Sequence, residues 1–136
     1  MKLYRVIIAG IILGTSYTGY SWGNKKQQDS ISGTWRGTSI CQVKDSPCHD
    51  EIAIYHAVKA EGNNYRFQMN KMVNGKEVEM GETVFAYDKN NETLNGVTTS
   101  AKGKGLWHFV VKGNTMHGTL TVDNNTLYRV IDLHKD

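Results

Sequence analysis

Residues 106–122 read LWHFVVKGNTMHGTLTV, two β-rich runs joined by Gly113 and Asn114. A Gly-Asn pair between such runs supplies the positive φ that a two-residue hairpin turn requires. The turn pairs Lys112 with Thr115 and thereby fixes which side chains share a face. The nearly complete apolar set predicts the interior face: Trp107, Phe109, Val111, Met116, Gly118, Leu120 and Val122. The mixed set predicts the exterior face: Leu106, His108, Val110, His117, Thr119 and Thr121.

Similar runs alternate with turn residues along the chain after residue 23, at intervals of roughly 8 to 12 residues, which is typical of a sandwich or barrel. No segment there has apolar residues at helical spacing over the length that a helix requires. The sequence therefore predicts an all-β, antiparallel up-and-down meander that closes as an eight-stranded barrel, because closure removes exposed strand edges. An open meander or a sandwich is the alternative. The predicted strands are 33–43, 51–60, 64–74, 76–88, 92–99, 104–112, 115–122 and 126–134.

The first 23 residues differ from the rest of the chain. Lys2 and Arg5 precede an apolar run at 6–13, and a small-x-small ending follows at 21–23. This pattern is typical of a cleaved signal peptide. The apolar run is about half of the roughly 20 residues that span a bilayer, so we expect no stable membrane span. We expect a secreted or periplasmic protein with a signal peptide at 1–23, a flexible polar tail at 24–31 and a barrel domain at 32–136.

Cleavage changes the charge balance of the chain. The whole sequence has 16 basic and 13 acidic residues, and removal of Lys2 and Arg5 leaves 14 basic against 13 acidic. Charges of both signs are scattered, and no basic block or stripe occurs. We therefore expect no nucleic acid partner.

The two cysteines, Cys41 and Cys48, both lie in the predicted exported part. An even number of cysteines in an oxidising compartment indicates a disulfide bond. Closing so short a loop contributes roughly 2 to 3 kcal/mol in the chain-entropy model. The competing interpretation is a redox pair, which prefers Cys-x-x-Cys spacing at a helix start. We expect a structural bond.

The last predicted strand carries a charge on its inward face. Extending the register through the turn at 124–125 pairs Val122 with Leu127. The residues then facing inward are Leu127, Arg129, Ile131 and Leu133. An arginine among aliphatic side chains is costly unless it is paired or stacked. In a closed meander the first strand pairs with the last, so we expect Arg129 over the indole of Trp35, a contact worth about 0.5 to 2 kcal/mol.

The Gly33-Thr34-Trp35 start together with Arg129 resembles the lipocalins and their wider calycin relatives, whose first-strand G-x-W tryptophan is covered by a last-strand arginine. Eight consecutive antiparallel strands are also their order. The resemblance implies a cup with a cavity for small, mainly apolar molecules. The Ser-Gly-Thr-Trp start at 32–35 also resembles avidin-like barrels, and with an early disulfide it is similar to small bacterial barrel inhibitors of metalloproteases.

The middle of the chain offers candidates for the lining of a cavity. The turn at 74–75 pairs Val73 with Lys76, and a bulge at Gly81 would shift the inward pattern by one residue. Aromatic and methionine side chains then share a face that suits an irregular apolar ligand, although every barrel needs such a face for its core. On the second strand two sets alternate, and we favour as interior Ile52, Ile54, His56 and Val58 over Ala53, Tyr55 and Ala57. The predicted ligand-binding residues are Tyr65, Phe67, Met69, Met80, Phe85, Trp107, Phe109 and His56.

Catalysis needs an oriented nucleophile, a carboxylate pair or an open metal site, and we recognise none in this sequence. The consecutive residues His49, Asp50 and Glu51 point different ways, which favours a solvated loop over a metal site. We therefore expect that the protein is not an enzyme and that it binds no cofactor and no metal ion. One functional hypothesis is a carrier of a small apolar molecule. The other is a protein-binding barrel with a filled core, such as a protease inhibitor, which engages its partner through loops or the segment 24–30.

Overall fold

The computed structural model describes residues 29–101, 103–123 and 125–136, together with Gly19. Apart from Gly19, the predicted signal peptide and residues 24–28 lie outside the described residues. Within the described ranges, no helix is long and apolar enough to cross a membrane. The chain forms one antiparallel meander, which closes into a barrel where the last strand pairs with the first. The strands are β1 Gly33–Cys41, β2 Glu51–Lys59, β3 Asn64–Val73, β4 Lys76–Asp88, β5 Thr93–Ser100, β6 Gly103–Lys112, β7 Thr115–Val122 and β8 Thr126–Lys135.

The predicted hairpin registers are confirmed where a two-residue turn defines them. Lys112 pairs with Thr115 across the turn at 113–114, and Val73 pairs with Lys76 across the turn at 74–75. The predicted faces follow from these registers. On the β6–β7 hairpin the apolar residues Phe109, Val111, Met116 and Leu120 are buried, and the two histidines His108 and His117 are exposed.

The predicted bulge near Gly81 is also confirmed. Met69 pairs with Gly81 and Asn70 pairs with Glu79, so Met80 has no partner on β3. Gly81 has a φ of 155°, a conformation that a residue without Cβ adopts most readily. From this point on, the other face of β4 turns inward. As a result, Thr83 and Phe85 are buried.

One end of the barrel is filled by a layer of aromatic side chains. Trp35, Phe67, Phe85 and Phe109 have no exposed surface. The ring centroid of Phe85 lies 4.8 Å from that of Phe67 and 5.6 Å from that of Phe109, in edge-to-face arrangements. Such pairs stabilise the fold beyond the area they bury. We call these four residues the aromatic layer.

Two glycines leave the space that this layer needs. Gly118 lies opposite Phe109 on the neighbouring strand, and a Cβ at position 118 would stand 2.1 Å from Phe109 Cδ1. A Cβ at Gly96 would stand 2.8 Å from Phe85 Cδ1. Both phenyl rings therefore lie over bare backbone, where no side chain other than hydrogen fits without a rearrangement.

Residues 29–31 belong to the barrel, so the predicted flexible tail is wrong for this part. Ile31 is completely buried, and its carbonyl accepts a hydrogen bond of 2.8 Å from Trp35 Nε1. Asp29 Oδ1 accepts hydrogen bonds from the backbone N–H groups of Ile31 at 3.0 Å and Ser32 at 2.6 Å. Burial alone would raise the pKa of Asp29, but these hydrogen bonds outweigh it and lower the pKa. The turn holds Ile31 as a plug under the aromatic layer.

The predicted contact between Trp35 and Arg129 is wrong. In the pairing of β1 with β8, Trp35 lies opposite Lys135, whereas Arg129 lies opposite Cys41, six residues further along β1. This spacing separates the two by roughly 20 Å. The cation over the indole is instead Lys135, whose Nζ lies 5.7 Å from the ring centroid. Strand order could be inferred from the meander, but no hairpin turn links β1 to β8 and fixes their register.

The predicted faces of β2 and of the start of β8 are also wrong. Both faces of β2 carry apolar residues, so alternation does not distinguish them. The inward residues are Ala53, Tyr55 and Ala57. Ile52 and Val58 are more than half exposed, and Ile54 is buried although it lies on the outer face. The predicted pair of Val122 with Leu127 does not form, because Val122 pairs with Thr126. A bulge on β8 leaves Tyr128 without a partner on β7 and turns Leu127 outward. The later residues face inward as predicted: Arg129, Ile131 and Leu133.

The predicted bond between Cys41 and Cys48 is present, with their Cα atoms 5.9 Å apart. It closes the start of the loop between β1 and β2, at the barrel end opposite the Ile31 plug. Asp50 Oδ1 adds a hydrogen bond of 2.9 Å from the backbone N–H of Cys41. We call this end the mouth of the barrel.

We expect the double substitution of Cys41 and Cys48 by serine to lower the free energy of unfolding by about 2.5 kcal/mol, because the unfolded chain regains the entropy of the open loop. Denaturant unfolding measures this difference. Reductant should destabilise the wild type by a similar amount and leave the variant unchanged. A wild type that is insensitive to reductant would contradict the expectation.

We expect Trp35→Ala and Arg129→Met to destabilise the protein additively, within about 0.5 kcal/mol, because the two side chains share no contact. Denaturant unfolding of both single variants and the double variant measures the coupling. Trp35→Ala with Ile31→Ala is the positive control, since these residues touch and should not be additive. A large coupling between Trp35 and Arg129 would show that the β1–β8 register is different.

Candidate functional site

The mouth of the barrel is not filled by side chains and holds a cavity of about 360 Å³. This volume lies in the range of small-molecule sites, roughly 300 to 1,000 Å³. Residues from all strands of the barrel contribute to its wall. They are Ser39, Glu51, Tyr55, Met69, Met80, Gly81, Glu82, Thr83, Thr98, Trp107, Leu120 and Arg129.

Arg129 is the most buried charge of the cavity, with 9% of its surface exposed. Its Nη1 donates to the carbonyl of His49 at 2.9 Å, and to the carbonyl and Oγ of Ser39 at 3.3 and 3.2 Å. Its Nη2 lies 3.5 Å from Glu51 Oε1, which is longer than the roughly 2.7 to 2.9 Å of a charge-assisted hydrogen bond. One edge of the guanidinium is therefore anchored to β1 and the disulfide loop, and the other edge is held loosely.

Glu51 is shared between two cations. Its Oε1 lies 3.4 Å from Lys71 Nζ as well as 3.5 Å from Arg129 Nη2. The side chain of Glu51 is 15% exposed, that of Lys71 is 34% exposed and that of Arg129 is 11% exposed. One carboxylate thus faces two positive charges, which leaves this cluster with an excess of one positive charge.

Tyr55 contributes a neutral hydroxyl to the same wall. The residue is 1% exposed, and its hydroxyl makes no hydrogen bond with any residue in the described ranges. Burial raises the pKa of Tyr55 far above 10, the negative charge of Glu51 raises it further, and Arg129 opposes this shift. The hydroxyl therefore keeps its proton at neutral pH and can donate it in a hydrogen bond.

The opposite wall is mainly apolar. Met80 and Trp107 stand there, and Met69 and Leu120 flank it. The indole of Trp107 is oriented by a hydrogen bond of 3.0 Å from its Nε1 to Thr98 Oγ1. Methionine side chains are flexible and adapt to irregular apolar shapes. β4 also contributes Glu82, whose side chain is 54% exposed and lies 3.9 Å from Arg66 Nε. The cavity therefore combines a polar wall from β1, β2 and β8 with a mainly apolar wall from β4 and β6.

The apolar wall coincides with a weak seam of the barrel. β4 and β5 pair only near one end, through three residue pairs between 86–88 and 93–95. Beyond these pairs the strands diverge, and a groove of about 780 Å³ lies along the outer surface. Val84, Val97 and Leu106 line the groove. Trp107 borders both the outer groove and the inner cavity.

The structure places the predicted ligand-binding residues in four different regions. Met69, Met80 and Trp107 line the cavity. The three phenylalanines Phe67, Phe85 and Phe109 form the aromatic layer beneath it. Tyr65 lies at the far end of the barrel, beside Asp29 and Tyr87. His56 is outside the barrel.

The prediction that His56 points into the cup is wrong because β2 presents its other face. His56 Nδ1 lies 3.1 Å from Thr34 Oγ1, and its Nε2 pairs with Glu77. Asn70 Nδ2 also donates to Glu77, at 2.8 Å. These contacts form a polar network across the outer wall.

Most of the polar wall is absent from the predicted site. The predicted faces of β2 place Tyr55 outside, and the interpretation of residues 49–51 as a solvated loop leaves out Glu51. Arg129 was recognised as an inward charge but given the wrong partner. The sequence did contain one indication of this wall. An arginine that points inward needs a nearby negative charge, and Glu51, at the start of β2, supplies part of it.

Comparisons with protein-family models, curated proteins and solved structures found no match for this chain. Within the described ranges, no group of three or more His, Cys, Asp and Glu residues is arranged to hold a metal ion. The mouth cavity, through its shape, polarity and charge, is therefore the feature that indicates function.

We expect the free energy of unfolding to fall as the pH rises above about 10, because tyrosine ionises there in the unfolded chain while buried Tyr55 stays protonated. Below that pH this contribution is constant. Tyr55→Phe should reduce the fall by up to about 1.4 kcal/mol per pH unit. Denaturant unfolding between about pH 8 and 11 measures it. Tyr128→Phe, at a partly exposed position, is the control. Equal slopes for wild type and Tyr55→Phe would refute the expectation.

Proposed function

We propose that this protein is an exported binding protein that holds a small, mainly apolar molecule in the mouth of its barrel and catalyses no reaction. The observation that carries the proposal is the cavity of about 360 Å³ above a filled aromatic layer. A cavity of about 150 Å³ accepts benzene, so in proportion this one accepts about 14 non-hydrogen atoms. The guest would be a small aromatic or branched compound, or the end of a longer one.

The resemblance to lipocalin-like calycins supports this proposal. The Gly33-Thr34-Trp35 start lies at the filled end of a closed eight-stranded barrel, and the cavity lies at the other end. A cation also covers Trp35, although it comes from Lys135 and not from Arg129. A cup with a cavity for small, mainly apolar molecules is what the resemblance implies.

Export belongs to the same proposal. The pattern of residues 1–23 is typical of a signal peptide, and the bond between Cys41 and Cys48 suits an oxidising compartment. Both observations support a secreted or periplasmic location. A carrier there would take up its guest outside the cytoplasm.

A second candidate function is the binding of a partner protein. It is favoured by the groove between β4 and β5, where Val84, Val97 and Leu106 are each about half exposed, at 49%, 56% and 47%. Within the described residues, the facing edges of β4 and β5 pair only at 86–88 and 93–95, and strand edges that diverge in this way accept an extended segment of another chain. A protease inhibitor is one protein of this kind.

Titration with 1-aminonaphthalene, a neutral fluorophore, tests the proposed function. We expect saturable binding with a blue shift in emission, and about tenfold weaker binding to Trp107→Ala because the variant lacks the largest apolar surface of the wall. Ile52→Ala, at a 56% exposed position on the outer face, is the matched control and should bind like the wild type.

Absence of saturable binding, or equal loss in both variants, would contradict the proposal. Native mass spectrometry of protein purified from its own host then distinguishes the two candidates. A retained small molecule supports the carrier, whereas a retained polypeptide supports the second function.

A further inference from the structure

The polar and apolar walls of the mouth cavity face each other across the barrel. We propose that the natural guest is a small organic acid whose carboxylate binds Arg129 and Tyr55 and whose apolar body lies against Met80 and Trp107. This inference rests on the proposed function and adds the chemical class of the guest. Four independent features of the cavity support it.

The first feature is the unused hydrogen-bonding capacity of Arg129. The three hydrogen bonds of its side chain all leave from Nη1. Nε and Nη2 make no hydrogen bond with the described residues, and neither is among the fully enclosed polar atoms without a partner. Both atoms therefore keep accessible surface, on a residue that lines the cavity. Together they form the planar fork that binds a carboxylate through two parallel hydrogen bonds.

The second feature is the hydroxyl of Tyr55. A buried tyrosine hydroxyl usually finds a hydrogen-bond partner, yet that of Tyr55 has none among the described residues. It is not among the fully enclosed unpaired atoms either, and the residue lines the cavity. The neutral hydroxyl can donate to a carboxylate oxygen. Tyr55 lines the same cavity as Glu51 and Arg129, so it belongs to the same cluster.

The third feature is the charge of the cluster. Glu51 lies 3.5 Å from Arg129 Nη2 and 3.4 Å from Lys71 Nζ, so it compensates neither cation fully. A buried charge without full compensation is costly. Glu82, the other acidic residue of the cavity wall, is paired with Arg66 at 3.9 Å and therefore does not offset this excess. A guest carboxylate beside Arg129 would bring the net charge of the cluster to zero, whereas a guest cation would increase the excess.

The fourth feature is the apolar wall on the other side. Met80 is 44% exposed and is the bulge residue that has no partner on β3. Trp107 separates the cavity from the outer groove at the β4–β5 seam. An acid held by Arg129 would therefore extend its apolar part toward this seam. Longer guests would reach the groove without disturbing the aromatic layer.

A matched pair of ligands tests the inference directly. The acid 2-naphthoate and the amide 2-naphthamide have the same shape and the same number of non-hydrogen atoms, and only the acid is charged at neutral pH. Isothermal titration calorimetry of the wild type should show that the acid binds at least about tenfold more tightly than the amide. This preference should decrease as the salt concentration rises.

Two substitutions assign the preference to the cluster. Arg129→Met should abolish the preference for the acid and leave the affinity for the amide largely unchanged. Arg36→Met is the matched control, because Arg36 lies on the outer face of β1, paired with Asp136 at 2.8 Å. It should keep the wild-type preference. If Arg129→Met does not fold, Tyr55→Phe should still lower the preference about threefold through loss of one donor.

The outcomes separate this inference from the proposed function. Equal binding of acid and amide to the wild type would overturn the inference and leave the carrier function in place. A preference that survives in Arg129→Met, or in Tyr55→Phe where Arg129→Met does not fold, would also overturn it. Failure of both ligands and of 1-aminonaphthalene to bind would overturn the carrier function itself.

Discussion

The register between β1 and β8 is the constraint on which the rest of the structure depends. It closes the barrel, and it determines which residues of the two terminal strands meet. With Trp35 opposite Lys135 and Cys41 opposite Arg129, one cation covers the floor and the other enters the mouth. A shift of a single residue would reverse the faces of one strand relative to the other. The plug, the aromatic layer and the charged cluster would then lose their partners together.

The sequence predicted those parts of the fold that short turns control. The β3–β4 and β6–β7 hairpins have two-residue turns, and their registers and faces agree with the prediction. The face of β2 was missed because a long disulfide-closed loop precedes it and both of its faces carry apolar residues. The plug at Ile31 was missed because a single apolar residue in a polar segment has no periodicity. Local turn chemistry thus determined what could be predicted, and long-range pairing determined what could not.

The sequence predicted that the candidate site has a polar group and an apolar wall, but it did not predict most of the residues that form the polar wall. An inward arginine on the last strand already indicated a polar group inside the barrel, and the methionines and Trp107 indicated an apolar wall. The remaining polar residues come from β1 and β2, whose positions relative to Arg129 depend on barrel closure. The predicted aromatic lining proved to consist largely of core residues, since Phe67, Phe85 and Phe109 fill the floor. One end of the barrel is thus a packed core that stabilises the fold, and the other end holds the cavity.

The two glycines under the aromatic layer have a consequence for the evolution of this barrel. Gly118 and Gly96 leave the space in which the rings of Phe109 and Phe85 lie. A larger residue at Gly96 fits only when the ring of Phe85 becomes smaller, and one at Gly118 needs a smaller ring at Phe109 and also a shift of the His108 carbonyl, which would lie 2.7 Å from its Cβ. Each pair must therefore change jointly during descent. Homologues that have lost overall similarity should therefore keep a constant combined volume at these paired positions. This compensated pattern, two glycines each matched to a phenylalanine across the sheet, offers a way to recognise common ancestry after most other residues have diverged.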